Sequence, residues 1–203
     1  MFDIFQSAGW PIWLLLITSI IGLTLIIERF YALQKKRILP DHLLERTIKR
    51  VRNHQMDEAA INQLAENSPL GLILATGLRH ANQPKETIRE HMEETGHLID
   101  LRLGKFLTTL GTIATLAPLL GLFGTVIGMI EIFGAQNHNG MNPTQLAHGI
   151  SVALYNTGFG LMIAMPALVF YRHFKALINN YLIQMENQAA QLLDTIIDLR
   201  RSK

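Results

Sequence analysis

Three long stretches of this chain carry almost no charge, and that limits what it can fold into. Ile4 to Ile27 has no charged residue, Phe106 to Ile130 has none, and Leu146 to Tyr171 has none while His148 is neutral. A helix needs about 20 mostly apolar residues, each rising about 1.5 Å, to cross about 30 Å of hydrocarbon. All three stretches are long enough. Inside lipid the backbone must satisfy its own hydrogen bonds, so each reads as a spanning helix. Of the 203 residues, 49 % are hydrophobic and 17 % charged, below the quarter usual for soluble domains. The sequence contains no strand pairs, internal repeats or low-complexity tract. We expect an all-α membrane protein with three transmembrane helices, a helical cytoplasmic domain, and long helices extending from membrane into cytoplasm.

The positive residues set the expected topology. Of 18 Lys and Arg, 13 lie between Glu28 and Phe106 and the other five follow Tyr171. None precedes the first span or separates the second from the third. Positive residues stay on the cytoplasmic side, so the N-terminus is expected outside. The same asymmetry explains a pI near 9 without nucleic acid. The opening MFDIFQSAGWP has no Lys or Arg and does not read as a signal peptide. Its Phe2, Phe5 and Trp10 suit a membrane interface. Cysteine is absent, which excludes disulfides and thiol chemistry. The eight His residues lack zinc-site spacing, and even His91 and His97 form no metal motif. No nucleophile–base pair is legible. We therefore expect no enzyme activity, catalytic residue, metal or cofactor.

The expected layout is a periplasmic segment 1–9, a first span 10–32, a helical cytoplasmic domain 33–105 and a second span 106–134. A periplasmic loop 135–144, a third span 145–171 and a cytoplasmic C-terminal helix 172–203 follow. Pro11 suits a helix's first turn, where its missing N–H costs nothing. Glu28 and Arg29 close the first span, either as interface anchors or as a contact with the cytoplasmic domain or a neighbouring subunit. Asp41 is expected to open a helix over HLLERTIKRVRNH, Asp57 to cap EAAINQLAEN, and Ser68 with Pro69 to open LGLILATGLRHA. This last helix, interrupted by Gly77 and Arg79, is too short to span and is expected to be buried. A further helix begins at Gln83-Pro84-Lys85-Glu86, with Ile88, Met92, Thr95 and Ile99 at helical spacing. It is expected to run unbroken into the second span. The loop AQNHNGMNPT makes the second and third spans a hairpin. Beyond Tyr171, the stripe Phe174, Leu177, Tyr181, Met185, Ala189, Leu192, Ile196 and Leu199 extends the third helix. That stripe can pack on its own subunit or on a neighbour.

The hairpin carries the informative chemistry. In the second span, Gly121, Gly124 and Gly128 permit close helix approach, and Gly124–Gly128 is a GxxxG pair. Thr108, Thr112, Thr115 and Thr125 fall on one broad side. Each hydroxyl can bond its own helix's carbonyls, or the four together can line a polar interior. In the third span Ala153, Thr157, Gly160 and Ala164 form a narrow edge of small side chains, a candidate pore wall. Thr125 lies ten residues before Ala135, and Thr157 eleven after Leu146, so antiparallel packing puts both at similar depth. Pro118 and Pro166 free backbone carbonyls inside these helices. Glu131 lies near the outer end of the second span, where interface exposure is expected over a relay role.

APLLGLFGTVIGMI followed by GISVALYNTGFGLMIAMPALVFY resembles the ExbB/TolQ/MotA proton-channel family. The resemblance runs from about Phe106 to Phe174. It rests on Ala-Pro before the glycines, the Gly-Leu-Phe-Gly-Thr core, and Thr157 ahead of Gly-Leu and Ala-x-Pro-Ala. Glu28-Arg29 and the three-span layout fit the ExbB and TolQ branches, whereas MotA has four spans.

The resemblance implies a homopentamer around a pore in the bacterial inner membrane. It implies a dimer of ExbD/TolR-like single-span partners inside that pore, with a partner aspartate exchanging protons under the proton-motive force. It also implies a TonB- or TolA-like protein that receives the resulting motion. Thr125 and Thr157 fall on the family's pore threonines. Where many relatives begin the third span Gly-Ile-Ala-Glu-Ala-Leu, this chain has Val152 at the glutamate position. Asn156, one turn deeper at i+4, is a candidate source of replacement polarity. An ExbB-type motor subunit, a TolQ-type subunit for envelope integrity and division, and a non-conducting scaffold are the functions to weigh.

Overall fold

The computed structural model describes residues 10–53, 55–134 and 143–201. Eight helices follow in order among them: α1 (Pro11–Ala32), α2 (Lys35–Ile38), α3 (Leu43–Arg52), α4 (Glu58–Asn67), α5 (Pro69–Arg79), α6 (Lys85–Leu103), α7 (Leu107–Gly134) and α8 (Pro143–Arg201). Three contain windows long and apolar enough to cross a membrane: Pro11–Ala32, Leu107–Glu131 and Gly149–Arg201. The expected segment 1–9, with Phe2 and Phe5, and residues 135–142 of the expected loop lie outside the described residues.

The chain divides into two units. The first comprises residues up to Arg29 and Phe106–His173, and holds the apolar helices. Only 28 % of each apolar window is buried. Trp13, Ile17, Ile20 and Leu23 on α1, and Leu119, Leu122 and Val126 on α7, are exposed. So much open apolar surface on three helices suits lipid or partner helices as surroundings, not water. The buried residues of α1 (Pro11, Ile12, Leu15, Gly22, Ile26 and Arg29) form a narrow stripe. A Cβ on Gly22 would lie 3.5 Å from Ile113 Cγ2, so α1 and α7 pack there.

The second unit comprises Phe30–Lys105 and Phe174–Lys203. Its short helices start where their caps dictate. Asp57 Oδ1 accepts the Ala60 N–H at 2.9 Å, and Ser68 Oγ accepts the Gly71 N–H at 3.0 Å with Pro69 at the first helical position. Helix α5 is buried, with Leu70, Leu74 and Ala75 fully inaccessible. Gly77 is where α5 meets α6: a Cβ there would lie 2.8 Å from Met92 Sδ. From α6, Ile88, Met92 and Ile99 are buried. Phe174, Tyr181, Met185, Leu192 and Ile196 of the α8 stripe are buried within the same unit, and Leu177, Ala189 and Leu199 are half-buried.

Two sequence expectations are corrected. Asp41 does not open α3. The helix begins at Leu43 behind His42, whose φ of 60° is left-handed, and no side chain caps it. Nor does the second span continue unbroken from α6. That helix ends at Leu103, and Gly104 donates its N–H to Asp100 O at 2.8 Å. Phe106 then takes φ 64° before α7 begins. The left-handed residue interrupts the helix, and a bulky side chain there is unusual. The third span does run on: α8 is one helix of 59 residues.

Candidate functional site

The hairpin of α7 and α8 is held by small residues. A Cβ on Gly121 would lie 2.8 Å from Asn156 O and 3.1 Å from Thr157 Cα. On Gly124 it would lie 2.8 Å from Asn156 Cβ and Cγ, and on Gly128 3.8 Å from Ala153 Cβ. On Gly160 it would lie 2.6 Å from Ala117 O and 3.1 Å from Gly121 Cα. Ala153 and Ala164 are also buried. Glycine is required at Gly121 and Gly160, where two backbones approach so closely, whereas Gly128 has room for a Cβ.

These contacts fix an antiparallel register. Gly121 faces Thr157 and Gly160, Gly124 faces Asn156, and Gly128 faces Ala153. Each step up α7 is therefore a step down α8, with Thr157 beside Gly121 and Thr125 one turn further along α7. Both threonines are half-buried. At 100° per residue each stands at the margin of its helix's packed face.

The other polar groups divide between seam and open surface. Asn156 is 1 % exposed, with Cβ, Cγ and Nδ2 over Gly124. The structure thus places it in the seam between the two helices. Ala153, Gly160 and Ala164 belong to the same seam, so only Thr157 of the expected pore wall reaches the margin. The reason is size, since the smallest side chains let the helices touch and are buried by doing so. Val152 is also buried. Thr112 and Thr115 are exposed, and their hydroxyls turn back to their own helix: Thr112 Oγ1 to Thr108 O at 2.9 Å and Thr115 Oγ1 to Thr112 O at 2.9 Å. Thr125 Oγ1 donates to Leu122 O at 2.6 Å. Both readings of the threonines meet here, because hydroxyls bonded to their own helix still present polar oxygen at the surface. Pro118 and Pro166 lie inside α7 and α8. Glu131 is exposed.

At the other end of α1, Arg29 is 4 % exposed. Its Nε and Nη2 donate to Glu28 Oε2 and Oε1 at 2.5 and 2.7 Å. Its guanidinium lies 5.6 Å from the Phe106 ring centroid. The pair was legible in the sequence; the ring was not, because Phe106 is 77 residues further along the chain. Gly111, which the sequence did not single out, meets the Tyr171 ring, with a Cβ position 3.0 Å from Cε2. In the second unit, Tyr181 Oη donates to Leu33 O at 3.0 Å, and burial pushes its phenol pKa up. Among the described residues no group of three or more His, Cys, Asp or Glu is placed to hold a metal.

Comparison with known proteins gives the family. Residues 65–187 match the MotA/TolQ/ExbB proton channel family. The chain is 32 % identical over 176 residues to a putative biopolymer transport protein, ExbB-like 1, of Synechocystis sp., covering 85 % of this chain and 69 % of that protein. It is 32 % identical over 174 residues to biopolymer transport protein exbB1 of Vibrio cholerae, covering 80 % and 74 %. It is 33 % identical over 132 residues to biopolymer transport protein ExbB of Salmonella typhimurium, covering 64 % and 54 %. The matched region takes in α5, α6, α7 and the α8 edge that carries Thr157, and the chain belongs to the MotA/TolQ/ExbB proton channel family.

Proposed function

We propose that this chain is the pore-forming subunit of a proton-motive-force-driven motor of the ExbB type in the bacterial inner membrane. In this reading it is a multi-pass protein that energises TonB-dependent transport across the outer membrane. The observation that carries the proposal is the glycine seam that brings α7 and α8 into backbone contact, with half-buried Thr125 and Thr157 beside it within about one helical turn of each other. The N-terminus lies outside, and residues 33–105 and 172–203 lie in the cytoplasm. Five copies surround a pore that receives a dimer of ExbD/TolR-like single-span helices, and a TonB-like protein takes up the motion.

The chain's own residues do three things in this mechanism. The seam residues Gly121, Gly124, Gly128, Ala153, Gly160 and Ala164 hold the hairpin rigid. Thr125 and Thr157, with Thr112 and Thr115, offer hydroxyl oxygens to a proton path through otherwise apolar wall. Asn156 sets the spacing at Gly124 and supplies polarity one turn below Val152. An intramembrane carboxylate is usually functional. With valine where many relatives have glutamate, the proton acceptor is a carboxylate on the partner helix.

The ExbB names of the relatives favour this over a TolQ-type role. The decisive experiment is Thr125→Val with Thr157→Val. Energised uptake should be lost while the assembled complex is recovered intact. Full uptake in the double variant would leave a non-conducting scaffold as the function.

A further inference from the structure

The stretch just after α1 holds a concentration of positive charge that the hairpin does not explain. Residues 35–52 contain Lys35, Lys36, Arg37, Arg46, Lys49, Arg50 and Arg52 against only Asp41 and Glu45. All seven basic side chains are exposed. None is in an ion pair with another described residue, whereas Glu45 lies 3.1 Å from His42 Nδ1. Lys85 and Arg89, elsewhere in the same unit, are each neutralised, by Asp194 at 2.9 Å and Glu93 at 2.6 Å.

Helix α3 keeps its charges outward. Leu43, Leu44 and Thr47 are buried on one side, while Arg46, Lys49, Arg50 and Arg52 stay exposed. Its apolar face is already used in packing, so it has nothing to insert into a bilayer. What it offers is a charged surface. Lys35 lies three residues beyond α1, within about 10 Å of its end. That is about one Debye length at physiological ionic strength.

From this we infer that the 35–52 segment binds anionic phospholipid head groups of the cytoplasmic leaflet, as an electrostatic contact that selects the lipid around the complex. Basic clusters beside a span gain up to about fivefold in binding per side chain near a charged surface. The inference rests on the cytoplasmic placement of residues 33–105.

The test uses the full chain in nanodiscs with spin-labelled phosphatidylglycerol or phosphatidylcholine. We expect a several-fold preference for phosphatidylglycerol in low salt that collapses near 1 M salt. K35Q/K36Q/R37Q and K49Q/R50Q/R52Q should each remove about half of that preference on a logarithmic scale, and K85Q/R89Q should leave it intact. Unchanged selectivity in both triple variants overturns the inference. Displacement by millimolar inorganic phosphate also overturns it, in favour of a site for the free anion. The absence of cysteine allows Lys49→Cys to be labelled uniquely. Labelling by an impermeant maleimide from outside intact cells would overturn the placement, and the inference with it. Labelling only from inside, without lipid selectivity, would overturn the inference alone.

Discussion

Gly124 and Asn156 occupy one another's space: a Cβ on Gly124 would stand 2.8 Å from both Cβ and Cγ of the buried asparagine. Gly124→Ala must therefore displace Asn156 or open the seam, at a cost of about 1–3 kcal/mol for an overpacked site. Gly96 supplies the contrast. It lies inside α6 with nothing within 4 Å of its Cβ position. Gly96→Ala should stabilise by up to about 1 kcal/mol through helix propensity. Thermal melting of the detergent-purified protein should move in opposite directions for the two variants. A common direction would contradict the seam geometry.

Arg29 uses the shape of its side chain as well as its charge. Two nitrogens engage both carboxylate oxygens of Glu28 while the guanidinium lies over Phe106. Lysine keeps the charge but loses both the fork and the planar face. Arg29→Lys should lower stability by about 1–2 kcal/mol, the scale of a charged hydrogen bond or a desolvated cation–π contact. A melt indistinguishable from wild type would reduce the cluster to a solvated interface charge.

Phe106 holds φ 64°, a conformation in which a Cβ is strained. Both Phe106→Ala and Phe106→Gly delete the ring over Arg29, but only glycine removes the strain. At most helical or strand positions glycine is the weaker of the two by about 0.5–1 kcal/mol. Here the order should invert, with the glycine variant more stable than the alanine variant by about 1 kcal/mol. Chemical denaturation of the two variants side by side reads the difference directly.

The parts of this molecule governed by local chemistry were legible in its sequence. Uncharged length marked the three apolar helices. Asp57 and Ser68 capped the helices they were expected to cap, because a side-chain oxygen facing free N–H groups is a short-range interaction. The stripe from Phe174 to Leu199 was legible for a similar reason, as a period of three and four residues survives into the packed face. What was not legible depended on distant partners. Nothing local marks Phe106 for a left-handed backbone; the residue that faces it is Arg29. The sequence also gave Asn156 a helix face without saying which neighbour that face meets. Only the pairing of Gly124 with it moved the side chain into the seam. Asp41 failed as a cap because His42 turns left-handed and starts the helix one residue late.

Tyr181 gives a prediction with a defined pH window. It is 5 % exposed, and its hydroxyl donates to Leu33 O across 148 positions of sequence. Tyr181→Phe removes the donor and leaves a carbonyl without it, at a cost of about 1–2 kcal/mol at neutral pH. Burial raises the phenol pKa above its ordinary value near 10. The folded protein therefore holds the proton more tightly than the unfolded chain does. A raised folded-state pKa adds stability that is fully present below the unfolded value and disappears as pH climbs through the folded one. Wild-type stability should thus fall steeply above about pH 10, while the phenylalanine variant lacks that component. The two stability curves should converge with rising pH. Parallel curves through the alkaline range would mean that the phenol ionises as freely in the folded protein as in the unfolded chain.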